Sequence, residues 1–454
     1  MKILKFVIAA LLFIADVSPG NAQGKKPNVV IILVDDMGFS DISTFGGNFV
    51  ATPNIDRLAK DGLKLGQYYS GAPICSPSRA SMLTGMYPGR WNFSTYLDNK
   101  KHNKDAEQAD FLTPEAPSMA RFFQSAGYAT GHFGKWHMGG GRDVKNAPGF
   151  ENYGFDEHAS TYESPDPDPL LTATNWIWSD KDSIKRWDRT RYFVDRSLAF
   201  MKKHKGQPCF VNLWPDDVHT PWVPYLGDGY TGKFPLGQED EAAFKLVLKE
   251  LDIQVGRLVA GLREMGELDN TIILFTSDNG ALPSFRGSRN GGLRGSKLSL
   301  YEGGTRMPFI ITWPGKIPAG KIDNGSEVNA IDLLPSLAKM AGIKLPSTYK
   351  GDGTDRSTVL TGKPSLRKKA MFWEYGRNNI AYKYPKVIDK SPNLAVRSGD
   401  WKLLMNADGS DIQLYNILKD KNESTNLAVE NAKITAQLQK ELAAWWKSMP
   451  RLNK

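Results

Sequence analysis

The chain is 454 residues long, with 58 Lys and Arg against 49 Asp and Glu, a formal net charge of +9. Hydrophobic residues make up 41% and charged residues 24%, which is globular composition and excludes a disordered or collagen-like chain. Two cysteines exclude a disulfide framework and a Cys-rich zinc site, and the positive excess forms no block resembling a nucleic-acid arm.

The first predicted element is a processing signal. Lys2 and Lys5 precede an apolar run over 6–15, and the small residues Gly20 and Ala22 stand just ahead of Gln23. This is the pattern of a secretory signal peptide over residues 1–22. The run falls short of the ~20 apolar residues a membrane span needs, so no stable membrane insertion is expected. The mature chain is expected to be exported, to a periplasm or outside the cell.

Asn28–Val34 is a continuous β-branched run without alternation, the mark of a strand buried on both faces. Residues 53–60, with Thr52 as candidate N-cap, and residues 117–126, ahead of Gly127, read as helices. Cys209–Trp214 is another buried strand, and Cys209 within it reads as a packed core thiol. Leu248, Leu251, Val255, Leu258 and Leu262 share one face of a long helix that stops at Gly266, and Thr271–Ser277 is a third buried strand. Strands alternating with helices predict an α/β domain, residues 23–365, built on a large mainly parallel β-sheet flanked by helices. From about Ser365 the pattern changes to short strand-like pieces at 370–375, 394–397, 401–405 and 413–415. A last helix follows, with Ile434, Leu438, Leu442, Trp445 and Met449 on one face. Residues 366–454 are therefore expected to form a smaller α+β subdomain with an antiparallel sheet.

Both strongest strands end in carboxylates, the first in Asp35-Asp36 and the other in Asp278-Asn279-Gly280. Ligands of open α/β sheets bind beyond the carboxyl ends of the strands. Three carboxylates and an amide oxygen form a hard oxygen set that suits Ca²⁺ or Mg²⁺. Either pair alone reads equally as a turn or helix cap. Two such pairs after two buried strands point to a metal site.

Between these strands lies Ala72-Pro-Ile-Cys75-Ser-Pro77-Ser-Arg79-Ala-Ser-Met-Leu-Thr84-Gly85. Pro77 suits the first turn of a helix, and a helix N-terminus attracts an anion such as sulfate. Cys-x-Pro-x-Arg before a small-residue helix resembles the signature of the type I, formylglycine-dependent sulfatases of the alkaline phosphatase superfamily. Gly134-Lys135-Trp136-His137, His219-Thr220-Pro221, Asp278-Asn279-Gly280 and Lys297 with Tyr301-Glu-Gly-Gly304 resemble further elements of that family, in order. The likeness extends to Ala395-Val-Arg-Ser-Gly-Asp-Trp-Lys402 near the C-terminus.

The resemblance implies an alkaline-phosphatase-like fold and hydrolysis of sulfate monoesters. It implies that a maturation enzyme oxidises Cys75 to Cα-formylglycine, whose hydrated gem-diol attacks sulfur with one hydroxyl and expels sulfate with the other. By the same resemblance Asp35, Asp36, Asp278 and Asn279, with the modified residue 75, hold one Ca²⁺ or Mg²⁺ ion. Arg79 orients the diol, and Lys135 and Lys297 clamp sulfate oxygens. His137 is the base that releases sulfate, His219 contacts the bridging oxygen, and either His219 or Lys297 protonates the leaving group. The other histidines, His102, His132, His158 and His204, read as structural. The segment 159–189, with Asp166, Asp168, Trp176 and Trp178, and the later Trp373, Glu374, Tyr375 and Arg397 are candidates for sugar recognition or for plain packing. A sulfated polysaccharide or glycosaminoglycan is the expected substrate. The alternatives are a phosphonate monoester or phosphodiester hydrolase sharing the motif, and a secreted glycan-binding protein that has lost catalysis.

Overall fold

A computed structural model describes residues 25–174, 177–227, 240–381 and 390–452; the 1–22 segment and Trp176 lie outside the described residues. Nine strands form one sheet: β1 (Asn28–Val34), β2 (Leu63–Tyr69), β3 (Ala129–Gly134), β4 (Glu157–Ser160), β5 (Cys209–Trp214), β6 (Thr271–Ser277), β7 (Arg306–Thr312), β8 (Lys321–Asp323) and β9 (Val328–Asn329). Their spatial order is β4-β3-β5-β1-β6-β7-β2-β8, with β9 also paired to β2. From β4 to β6 every pairing is parallel. Only β7 runs against its neighbours, so the mainly parallel sheet anticipated from the sequence is present.

The two-residue period of β1 sorts its side chains between two cores. Val29, Ile31 and Leu33 face one layer, with the helices Cys75–Thr84, Met119–Ser125 and Leu333–Met340. Val30, Ile32 and Val34 face the other, with Pro53–Asp61, Arg189–Lys203 and Glu241–Glu264. This two-sided burial explains the unbroken apolar run. The expected helix at 53–60 is present, but Thr52 does not cap it through its side chain. Its hydroxyl instead accepts from Ser43 N at 3.0 Å and donates to Asp56 Oδ1 at 3.3 Å. Cys209 is a core thiol, pushed up to about 12 by burial.

The second sheet is antiparallel, ordered β10 (Met371–Glu374), β11 (Leu394–Ser398), β12 (Trp401–Met405) and β13 (Gln413–Asn416). One face, with Trp373, Ala395, Leu404 and Tyr415, packs against Tyr69, Ile74, Cys75 and Tyr301. The opposite face, with Val396, Leu403 and Leu414, is covered by Leu438 and Leu442 of the helix Ala432–Lys447. The small sheet therefore buttresses the segment around Cys75.

Candidate active site

The register Val34↔Ser277 brings the ends of β1 and β6 side by side, so residues far apart in sequence leave the sheet together. Asp36 N donates to Asp278 Oδ1 at 3.2 Å, and Asn279 Nδ2 donates to Asp36 Oδ1 at 2.8 Å. Asp36 adopts a φ of 57°, a left-handed conformation that non-glycine residues hold only where the surroundings enforce it. Gly280 is needed for closeness: a Cβ there would lie 2.0 Å from Gly303 O. That approach binds the β6 turn to the loop carrying Lys297, whose own N–H donates to Ala281 O at 2.8 Å.

Cys75 opens the helix Cys75–Thr84, every residue of which is buried. Ser78 Oγ donates to Asp278 O at 2.5 Å, holding the helix N-terminus against the β6 tip. Cys75 Sγ and carboxylate oxygens of Asp35 and Asp278 all lie within 4.8 Å of one another, as do ligand atoms of Asp35, Asp36 and His219. Arg79, one turn further on, donates to Asp278 Oδ2 from Nε at 2.9 Å and from Nη2 at 2.7 Å, and to Lys135 O from Nη1 at 2.7 Å. It is completely buried behind the carboxylates, with Nη2 also 3.4 Å from Asp35 Oδ1, and is not among the residues lining the adjoining cavity.

Lys135 Nζ lies 2.8 Å from Asp35 Oδ2, and Lys297 Nζ 2.7 Å from Asp36 Oδ1. Burial works to raise both carboxylates, yet Lys135 with His219 and Arg79 holds Asp35 well below the usual range, and Lys297 with His219 holds Asp36 down. Asp278 differs. Burial, reinforced by Asp35, Cys75 and Asp36, outweighs Arg79 and pushes it up to about 8. The site is thus locally short of positive charge. Asp35 Oδ1 and Asn279 Oδ1 are moreover buried without a hydrogen-bond partner among the described residues. Hard oxygen atoms without a hydrogen-bond partner, beside a carboxylate whose ionisation the surrounding negative charge opposes, fit a divalent cation.

Two histidines border this cluster, each with an assignable tautomer. His137 Nε2 lies 3.0 Å from Leu97 O, and a carbonyl only accepts, so Nε2 carries the proton and Nδ1 the lone pair. Nδ1 is buried without a partner among the described residues. Glu163 Oε2 stands 3.4 Å from Nε2, while Arg142 Nη2 donates to Glu163 Oε1 at 2.9 Å. Burial lowers His137 to about 4 despite Glu163, and Glu163 is itself held at about 2 against burial by His137, Lys135 and Arg142. His219 Nδ1 donates to Thr220 O at 2.5 Å, which leaves Nε2 facing Asp36 Oδ2 at 3.5 Å.

A cavity of about 250 Å³ opens over these groups, lined by Asp35, Cys75, Lys135, His137, His219 and Lys297. Its wall also includes Glu163 and Arg186, which fall within the candidate segment 159–189 without being singled out there, and Asp216, which lies outside it. Asp216 stands two residues beyond β5, so the strand-end rule applied to that strand would have found it. Glu163 stands three beyond β4, and Arg186 carries no local signal. The expected sugar-recognition residues divide. The segment 159–189 does supply cavity residues, including Ile177, but Asp166 pairs with His158 and Asp168 accepts from Tyr192. Trp178 is half-buried outside the cavity lining. Trp373, Glu374, Tyr375 and Arg397 are buried away from the cavity. Trp373 donates to Ser70 O, Glu374 pairs with Arg377, and Arg397 donates to Tyr69 and Gln67, so these contacts are structural.

The model of the family described as Sulfatase matches residues 27–343, and that described as N-sulphoglucosamine sulphohydrolase, C-terminal, matches residues 296–448. An N-acetylgalactosamine-6-O-sulfatase of Bacteroides thetaiotaomicron is 27% identical over 93% of this chain and 94% of its own length. An N-acetylgalactosamine-6-sulfatase of Mus musculus is 31% identical over 83% of this chain and 73% of its own. Among solved structures, Ps i-CgsB in complex with k-i-k-neocarrahexaose aligns with a TM-score of 0.75 at 25% identity, over 94% of each chain.

Proposed function

The chain belongs to the sulfatase family, and we propose that it is an exported carbohydrate sulfatase that uses formylglycine and a divalent cation. The observation that carries the reading is that Asp35, Cys75, Lys135, Lys297, His137 and His219 line one cavity, with Asp36, Asp278 and Asn279 packed against them. Its relatives named for N-acetylgalactosamine 6-sulfate support a sulfated sugar as substrate. Export rests on the N-terminal segment, and no helix among the described residues is long and apolar enough to cross a membrane.

Asp35, Asp36, Asp278 and Asn279 would hold Ca²⁺ or Mg²⁺. When bound, the ion offsets anionic charge and lowers the pKa of a hydroxyl beside it. Oxidation of the Cys75 thiol to formylglycine by a maturation enzyme supplies the nucleophilic hydroxyl. Lys135 and Lys297, kept protonated beside Asp35 and Asp36, attract and orient the sulfate oxygens. His137 takes a proton at Nδ1, and Glu163 stabilises the imidazolium that forms. His219, next to Asp36, serves the departing alcohol.

A panel of sulfated mono- and disaccharides, run beside 4-nitrophenyl sulfate and 4-nitrophenyl phosphate, tests the reading through released sulfate and phosphate. Sulfate release from sugars is expected. Preference for the phosphorus ester would overturn it in favour of a phosphoester hydrolase, and failure to turn over any ester would leave a glycan-binding protein. Stripping divalent cations with EDTA is expected to abolish activity and lower the thermal midpoint, both restored by Ca²⁺, because an ion bound only to the folded state stabilises it. A midpoint indifferent to chelator and Ca²⁺ would remove the metal from the account.

Glu163→Gln isolates the partner of His137. The variant is expected to lower kcat about 10- to 100-fold with little change in KM. Loss of the anion removes a contribution that raises the His137 pKa, so the acid limb of kcat/KM, expected near pH 4, should move to lower pH. Glu163→Asp should recover part of the rate. A variant with kcat intact would show that Leu97 alone positions the imidazole.

A further inference from the structure

Two charged residues of the cavity wall take no part in the chemistry above. Asp216 lies just past the carboxyl end of β5, at the same sheet edge as Asp35 and Asp278, and Arg186 opens the short turn Arg186–Asp188. They are 5% and 3% exposed. Arg186 Nη1 pairs with the Asp216 carboxylate, and Nη2 donates to Asp216 O at 2.6 Å and His219 O at 3.1 Å. Arg189 Nη1 donates to Asp216 Oδ2 at 2.9 Å. After these bonds, Arg186 Nε and Asp216 Oδ1 have no partner among the described residues.

An unmet donor and an unmet acceptor on one ion pair are an unusual thing to bury. Their shared complement is a pair of neighbouring hydroxyls, one donating to the carboxylate and the other accepting from the guanidinium. Through Arg186 the pair is bonded to the backbone of His219, the residue assigned to the departing alcohol. The hydroxyls in question are therefore those of the alcohol itself. An aromatic or sterol alcohol offers none there, whereas a sugar ring offers several. Ile74 and Leu298 supply apolar surface for its C–H face.

We propose that Arg186 and Asp216 form a hydroxyl-reading pair that selects a sugar as the leaving alcohol. The inference rests on the carbohydrate reading and sharpens it.

The test compares Asp216→Asn and Arg186→Lys with the wild type on two substrates, the best sulfated monosaccharide of the panel and 4-nitrophenyl sulfate. The ratio of kcat/KM for sugar over aryl ester is expected to fall about 10- to 100-fold in each variant, the worth of a hydrogen bond to a charged group. Calorimetry in a Cys75→Ala background, which carries no aldehyde, should show the same loss of affinity for the sugar sulfate. Thermal midpoints identify any variant that does not fold, and the second variant then carries the comparison. An equal loss on both esters, or no loss on either, would reduce the pair to a brace for the His219 loop and overturn the inference while the carbohydrate reading stands. A wild type that accepts the aryl ester and no sugar would overturn both.

Discussion

Cys75→Ala is expected to reduce turnover about 10⁴-fold or more, and Cys75→Ser to carry out a single turnover and stop. The reason lies in the atoms available at position 75. It sits at the first turn of a buried helix, 2% exposed, beside the Asp35 and Asp278 carboxylates. Alanine offers no nucleophile there. Serine offers one hydroxyl, whose oxygen forms a bond to sulfur as the bond from sulfur to the sugar oxygen breaks and the alcohol leaves with a proton. The resulting sulfate ester has no second oxygen on the same carbon to drive sulfate out. One equivalent of alcohol should appear in a burst, and intact-mass analysis should find the chain heavier by one sulfonate group, located on residue 75. Sustained turnover by the serine variant would show that position 75 needs no aldehyde. An active wild-type preparation whose residue 75 is an unmodified thiol would do the same.

How much of this was legible in the sequence depended on whether the signal was local. β1 and β6 were readable because both their faces are buried, and their acidic tips follow from strand direction. β2 and β7 were not. Leu63–Tyr69 carries Lys64, Gly66 and Gln67 in its middle, tolerated because its pairing with β7 shifts register between Leu65 and Tyr68. Arg306–Thr312 contains Pro308, which argues against a sheet interior. The candidate core residues were found through motifs whose spacing survives in the chain. Glu163 and Arg186 are placed by contacts that only the fold makes, Glu163 with Arg142 and His137, and Arg186 with Asp216 and the His219 backbone, and no local pattern marks them. Trp373 and Arg397 misled for a related reason: aromatic and basic residues look alike in sequence whether they line a cleft or fill a junction. Here they fill the junction between the two sheets.

That junction carries the other large expected effect. Lys402 of β12 lies 2.9 Å from Glu302 Oε1 and 3.0 Å from Glu423 Oε1, with all three side chains wholly buried. Glu302 belongs to the short helix Glu302–Thr305, whose Gly303 and Gly304 close on the β6 turn and on the loop bearing Lys297. Tyr69 donates to Glu302 Oε2 at 2.8 Å, and Glu302 N donates to Glu423 Oε2 at 2.7 Å. One lysine thus lies between two acidic side chains where the small sheet meets the loop bearing Lys297, and Arg306 Nη1 stands 3.6 Å from Glu302 Oε2. Lys402→Met removes the cation the two acids share, leaves Glu302 with its longer contact to Arg306, and is expected to cost about 3–5 kcal/mol of stability. Set against a typical total of about 5–15 kcal/mol, that is enough to lower the urea midpoint severely. Glu423→Gln should behave oppositely. Burial, with Glu302 beside it, pushes Glu423 up to about 7 in spite of Lys402, so near neutrality it is already partly protonated and an amide replaces it at small cost. The folded state holds that proton more tightly than the unfolded chain does. Its contribution to stability is therefore full below about pH 4.5 and declines as pH rises toward 7. Urea unfolding of the wild type across that window should carry this downward slope, and the Glu423→Gln variant should lack it. Identical slopes in the two proteins would mean that Glu423 is ionised throughout and that Lys402 satisfies both carboxylates.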